Sequence, residues 1–113
     1  MWKIKMKIGC NCGATIFDSA DYLPQKGHLI PDQDWFDVYD AIDDDVIDKV
    51  ADGTLTKEAA YMKAREIIGS KARLMWQCVG CGSLYVDGRD GQLHGFVPAT
   101  EETDRRVLAG RSK

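Results

Sequence analysis

The first residues of the chain alternate between apolar and charged side chains. The apolar positions are Trp2, Ile4, Met6 and Ile8, and they are separated by Lys3, Lys5 and Lys7. A period of two places the apolar residues on one face of a strand and the lysines on the other. We therefore expect a half-buried strand that leads into Cys10, followed by a short return strand over residues 14–17.

From residue 32 the apolar period changes from two to that of a helix. Apolar residues recur at spacings of three and four, which places them on one face: Trp35, Val38, Tyr39, Ile42, Val46 and Val50. The pattern predicts an amphipathic helix with Asp32 or Asp34 as its N-cap and Gly53 as its end.

A second helix is expected from about Leu55 to Ile68, with Thr54 or Thr56 as its cap and Gly69 after its end. The short connection at Gly53 predicts that the two helices pack side by side and antiparallel.

Strand patterns return after the helices. They cover residues 73–77, 84–86 and 92–97, with a turn at 87–91 rich in Asp and Gly. Residues 18–31 are predicted to be a loop, because they contain two prolines and no steady period. We expect one domain over residues 1–98, with a helical insertion at about 32–69, and a polar C-terminal tail over 99–113.

Four cysteines stand in two close pairs, and each pair is followed by glycine. The pairs are Cys10–Cys12 and Cys78–Cys81. Two such turns supply the four soft ligands that a structural Zn²⁺ takes in a tetrahedron. Free buried thiols without a metal and a redox-active C-x-x-C are the alternatives; the second is disfavoured because a strand pattern, not a helix, follows Cys81.

The second pair, Cys78-Val79-Gly80-Cys81-Gly82, resembles the C-x-x-C-G turn of the zinc-ribbon and rubredoxin-like families, whereas the first pair is one residue shorter. The resemblance covers about 60 residues at the two ends of the chain. It implies an α+β fold: zinc-ribbon-like antiparallel β hairpins with a two-helix insertion between the cysteine pairs.

The ligand set favours a closed site. Zinc is expected, and iron in the same tetrathiolate cage, with electron transfer as its function, is the alternative. A catalytic zinc usually keeps an open position for water, which four thiolates do not leave. Neither histidine, His28 or His94, falls in a metal motif, and no serine nucleophile motif or phosphate loop is present. We therefore expect no enzyme.

The net charge of −3 is unevenly distributed. Residues 31–53 hold nine aspartates and one lysine, a charge of −8, so the remaining chain is +5. Four of these aspartates, Asp37, Asp40, Asp44 and Asp48, lie opposite the apolar face of the first helix. An EF-hand is not predicted, since the segment lacks the required glycine and glutamate.

Two functions follow from these features. The first is a small zinc-binding protein whose acidic helix binds a basic protein partner through Asp37, Asp40, Asp44, Asp48 and Phe36. An immunity protein that inhibits a bacterial nucleic-acid-degrading toxin fits this description, and residues 29–43 also resemble segments of small bacterial proteins with no assigned activity. The second is a nucleic-acid-associated zinc ribbon, which the low pI of about 5.3 disfavours. An adaptor or a purely structural subunit is a further alternative for the function. For the acidic helix, a solvated face without a partner is the alternative.

The location is predicted to be the cytoplasm. The N-terminal stretch has no apolar signal core, and no apolar run approaches the ~20 residues that span a bilayer. We accordingly expect reduced thiols rather than disulfides.

Overall fold

Six short strands and two helical segments make up this α+β chain, and the computed structural model describes residues 6–111. The predicted alternation at Trp2, Lys3, Ile4 and Lys5 lies outside the described residues. The chain divides into a hairpin unit, formed by residues up to 28 together with those from 74, and a helical unit, residues 29–73. Each unit is described by itself below.

Two antiparallel hairpins carry the cysteine pairs in the hairpin unit. Strand β1 (Met6–Gly9) pairs with β2 (Thr15–Asp18), so that Ile8 lies opposite Ile16. Strand β4 (Arg73–Gln77) pairs with β5 (Leu84–Asp87), and β5 pairs in turn with β6 (Leu93–Phe96). The strands predicted around both cysteine pairs are confirmed.

One strand was not predicted. Residues Lys26–Leu29 form β3, which is the neighbour of β4 in a four-stranded sheet of order β3-β4-β5-β6. The loop prediction for residues 18–31 was wrong at this point. Strand β3 reads Lys-Gly-His-Leu, which has no apolar alternation, and its hydrogen bonds to a neighbouring strand stabilise it instead.

The core of the hairpin unit is small and contains two of the four cysteines. Its buried members are Ile8, Cys10, Ile16, Trp76 and Cys78. Trp76 donates its indole N–H to Asp18 Oδ2 at 3.0 Å, and Asp18 Oδ1 accepts from Lys26 Nζ at 3.1 Å. Asp18 therefore satisfies the buried indole while its own charge is paired.

The first helical segment of the helical unit is continuous but not uniform. It consists of α1 (Asp32–Ile42), a π-helical turn (Asp43–Ile47) and α2 (Asp48–Ala51), and it ends before Gly53, whose φ is +82°. Pro31 occupies the N-cap position and no side chain caps the helix, so the cap predicted at Asp32 or Asp34 was wrong. Both aspartates lie in the first turn, where their charge favours the positive end of the helix dipole.

The π turn bears on which residues are buried. In an uninterrupted α-helix, Val38 and Val46 would lie roughly 80° apart around the axis. The N–H of Asp48 donates to the carbonyl of Asp43, five residues earlier, so this turn holds one residue more than an α turn. The extra residue reduces the angle, and Val38 and Val46 are both buried.

Helix α3 (Lys57–Lys71) packs against the first helical segment. Its N-cap is Thr56, whose Oγ1 accepts a hydrogen bond from the amide of Ala59 at 3.2 Å. Thr56 is one of the two predicted caps. The predicted end at Gly69 was wrong, because the helix continues to Lys71. Lys71 Nζ lies 3.8 Å from Asp34 Oδ1. The end of α3 therefore lies beside the start of α1, so the two segments are antiparallel.

Candidate metal centre

The first cysteine pair lies in the tight turn between β1 and β2. The amide of Cys10 donates to the carbonyl of Ala14, and the amide of Gly13 donates to the carbonyl of Cys10, both at 2.9 Å. Gly13 has a φ of +97°, a conformation that side chains rarely adopt. The glycine after the second cysteine is thus required by the turn.

The second pair lies in an equivalent turn that is one residue longer. The amide of Cys78 donates to the carbonyl of Ser83 at 2.8 Å, and the amide of Gly82 donates to the carbonyl of Cys78 at 2.7 Å. Gly82, with a φ of +87°, occupies the place that Gly13 has in the first turn. The different cysteine spacings therefore reflect one hairpin turn built in two lengths.

The two turns bring all four cysteines together. Their Sγ atoms lie within 4.8 Å of one another. Cys10 Sγ is 3.5 Å from Cys81 Sγ, and Cys12 Sγ is 3.6 Å from Cys78 Sγ, so each contact joins the two hairpins. All four are free thiols. A tetrahedron with metal–sulfur bonds of about 2.3 Å has sulfur–sulfur edges of about 3.8 Å. The four residues therefore fit a tetrahedral metal ion and could hold one.

Hydrogen bonds converge on two of the sulfur atoms. The amide of Cys12 and then the hydroxyl of Tyr85 lower the pKa of Cys10 to about 6. The hydroxyl of Ser83, whose oxygen is 3.2 Å from Cys81 Sγ, lowers the pKa of Cys81 together with the Ser83 amide. In return, the bond to Cys10 raises the pKa of Tyr85. These donors stabilise thiolates, the form in which cysteine binds a metal.

Cys78 has the opposite environment. Burial raises the pKa of its thiol to about 11, although the amides of Cys81 and Gly80 act in the other direction. Only 1% of Cys78 is exposed, whereas Cys12 is exposed. The centre is therefore buried at Cys78 and exposed to solvent at Cys12. A buried thiolate at Cys78 is stabilised only with a cation beside it.

A segment beyond the predicted fold braces the second turn. Gln77 is 1% exposed, and its Nε2 donates to the carbonyls of Gly82 at 3.2 Å and Asp104 at 2.9 Å. Its Oε1 accepts from the amide of Val107 at 2.9 Å. Arg105 donates from Nη1 to the carbonyl of Gly80 at 2.8 Å. Residues 104–107, expected to belong to a polar tail, are thus held against the Cys78–Cys81 turn.

Sequence reasoning missed Gln77 and Arg105. The available signal was weak: Gln77 is an uncharged polar residue that follows the apolar residues 74–76, directly before a cysteine. Burial of such a residue implies nearby partners, but not which segment supplies them.

The predicted partner-binding residues lie on the first helical segment of the helical unit. Asp37, Asp40, Asp44 and Asp48 are all exposed on the first helical segment. Phe36 is exposed as well, and its ring stands edge-on to Tyr39 at a centroid distance of 5.9 Å. The structure therefore leaves these side chains accessible.

The histidines take no part in the cysteine centre. His94 Nε2 lies 3.0 Å from Asp90 Oδ2 in an exposed pair, and His28 is an exposed residue of β3. Among residues 6–111 the four cysteines form the one group of three or more His, Cys, Asp or Glu side chains with metal-binding spacing. No helix in this range is long and apolar enough to cross a membrane.

Comparison with known proteins gives one match. A family model described as "Domain of unknown function (DUF8617)" matches residues 6–104, which include both cysteine pairs and the helical unit. No curated protein and no solved structure matches the chain at a significant level.

Proposed function

The chain belongs to this family, DUF8617, and we propose that it is a non-enzymatic zinc protein whose helical unit binds a basic protein partner. The observation that supports metal binding is the approach of four Sγ atoms, two from each hairpin, to within 4.8 Å of one another. In this proposal the hairpins form a zinc-ribbon-like clasp.

We favour zinc over iron as the bound metal. The sequence holds no redox motif other than the cysteine pairs, and zinc brings no redox chemistry of its own. A zinc ion bound there would supply positive charge that holds four thiolates together, and it would have no open position for a substrate. Tyr85 and Ser83 would orient Cys10 and Cys81 and spread their charge.

Metal analysis of the purified full chain tests this assignment. We expect one zinc per chain, a colourless protein, and release of four reactive thiols when a chelator removes the metal. Cys12→Ser and Cys81→Ser should each abolish tight binding, because three thiolates leave the tetrahedron incomplete. A red protein that contains one iron per chain would show that the metal is iron and not zinc. A chain that takes up no metal would refute the proposed metal centre.

The charge distribution supports the partner. The helical unit, residues 29–73, carries eleven acidic and six basic residues, a charge of −5, while the rest of the chain carries +2. Aspartate is a poor helix former, and like charges four residues apart destabilise a helix. Asp40, Asp44 and Asp48 incur both costs on an exposed surface. A basic partner would offset them and would associate faster.

One class of basic partner is a toxin that degrades nucleic acid, because its substrate cleft must be positive to bind phosphates. In this proposal the acidic helical unit occupies such a cleft and inhibits the toxin, as an immunity protein does. The protein encoded by the neighbouring gene is the first candidate to test.

Binding should be measured against that neighbouring protein at low and moderate salt. We expect Asp37→Lys and Asp44→Lys each to slow association about tenfold, and Glu101→Lys and Glu102→Lys, exposed in the hairpin unit, to leave it unchanged. Equal effects of both pairs would remove the acidic helix from the proposal. Salt-dependent retention of the protein on DNA or RNA would favour the nucleic-acid function instead.

A further inference from the structure

An apolar groove runs between the two helical segments of the helical unit. Its volume is about 480 Å³. The lining side chains that matter most are Ile42, Val46, Ile47 and Val50 from the first helical segment and Ala60 and Tyr61 from α3. Lys57 is the one charged residue in its lining. The groove therefore offers a ligand apolar surface and few hydrogen-bonding groups.

Much of this apolar surface is exposed to water. Ile47 is 56% exposed, Val50 40% and Tyr61 52%. Only Val46 and Ala60 among the named lining residues are buried. Single exposed apolar residues are common in proteins, but a contiguous set along one groove is typical of a binding site.

The geometry of two helices explains why the groove is open. A pair of helices buries the side chains along their seam and leaves a furrow on each side of it. In a helical bundle a third helix fills such a furrow with its own apolar face. Here the described part of the helical unit holds no third helix. We infer that the groove binds an amphipathic helix of a partner protein, with basic residues beside its apolar face.

The aspartates that border the groove select a basic helix. Residues three or four apart are neighbours on a helix surface. Asp43 lies four residues before Ile47, and Asp48 lies three residues before Ala51, which also lines the groove. The lining itself holds no carboxylate, but these exposed aspartates lie at the border of the groove. Lysine or arginine residues at the margin of a docked helix would form ion pairs with these carboxylates, while the apolar residues of that helix would pack in the groove.

A second copy of this chain is a poorer occupant. Its helical unit would bring the same aspartates, and like charges facing each other across an interface disfavour association. The inference rests on the proposed binding of a basic protein. It specifies the groove as the place where the partner docks and a helix as the conformation of the docked segment.

Three designed peptides of equal length test the occupant with the full, metal-loaded chain. The first has leucines at helical spacing with lysines beside them. The second has the same composition in scrambled order, so it has equal charge but no apolar face. The third replaces lysine by glutamate. Binding is followed by NMR shifts of Ile47, Val50 and Tyr61, and by titration.

We expect micromolar binding of the first peptide, at least about tenfold tighter than that of the scrambled one. Ile47→Gln should weaken binding about tenfold by removing half-exposed apolar surface. Met62→Gln is the matched control, because Met62 is 57% exposed on α3 but does not line the groove. It should leave binding unchanged.

The outcomes separate the groove from the proposed function. If both lysine peptides bind equally and Ile47→Gln has no effect, the acidic surface binds basic ligands but the groove does not, and this inference is overturned alone. If no lysine peptide binds, both proposals fail. Equal binding of the glutamate peptide would overturn the charge selection. Dimers of the free protein that Ile47→Gln dissociates would show that a second copy fills the groove.

Discussion

Gln77 is the polar residue on which the C-terminal brace depends, and Gln77→Met tests it most directly. Methionine matches glutamine in length and shape but forms no comparable hydrogen bonds. The change leaves the carbonyls of Gly82 and Asp104 and the amide of Val107 without the bonds that Gln77 provides at 2.9–3.2 Å. Each unsatisfied buried group costs about 1–3 kcal/mol.

The three costs do not add fully. Residues 104–107 can detach and be hydrated, which limits the loss to the free energy that holds this segment in place. We therefore expect the free energy of unfolding to fall by about 3 kcal/mol, and the melting temperature by roughly 10–15 °C for a chain of this size.

Denaturant unfolding and amide hydrogen exchange of the metal-loaded protein measure this effect. The Val107 amide should exchange much faster in Gln77→Met, because its acceptor is lost. Gln92→Met, at an exposed position, should change stability by less than about 0.5 kcal/mol. If Gln77→Met were as stable as the parent and kept the Val107 amide protected, the buried glutamine would not hold the C-terminal segment.

Three further outcomes follow from individual contacts. Tyr85→Phe should weaken metal binding about tenfold by removing the hydroxyl that hydrogen-bonds Cys10; chelator competition measures this, and Tyr22→Phe, at a fully exposed ring, should bind as the parent does. Acidification from pH 8 to pH 5 should release the metal, since protons compete for the thiolates; an affinity independent of pH would contradict thiolate ligation. Thr56→Ala should destabilise the protein by about 1 kcal/mol through loss of the cap on the Ala59 amide, whereas an unchanged denaturation midpoint would mean that this cap contributes nothing.

The local elements were largely readable from the residues. The hairpin strands around both cysteine turns, the two helical segments and a threonine cap at Thr54 or Thr56 follow from short-range patterns, because period and turn chemistry act over a few neighbouring residues. The four cysteines were also identifiable, since no other residue type offers this ligand chemistry in paired turns. Their approach to within 4.8 Å required the two hairpins to meet.

The misses have two causes: for β3 the stabilising partner lies far away in the sequence, and for α3 a glycine was given too much weight as a helix end. Strand β3 has no strand pattern, and β4, which pairs with it, begins more than 40 residues later. Helix α3 continues through Gly69 because a single glycine costs only about 1 kcal/mol, less than its helical neighbours supply.

By itself, the sequence determined most of the element types, the cysteine ligand set and the acidity of the first helical segment, all of which depend on residue chemistry and short spacing. Only the tertiary structure decided that Gln77 is buried against residues 104–107 and that the apolar stripes of two helices leave an open groove. Periodicity shows that a helix has an apolar face, but whether that face is covered depends on which other elements pack against it.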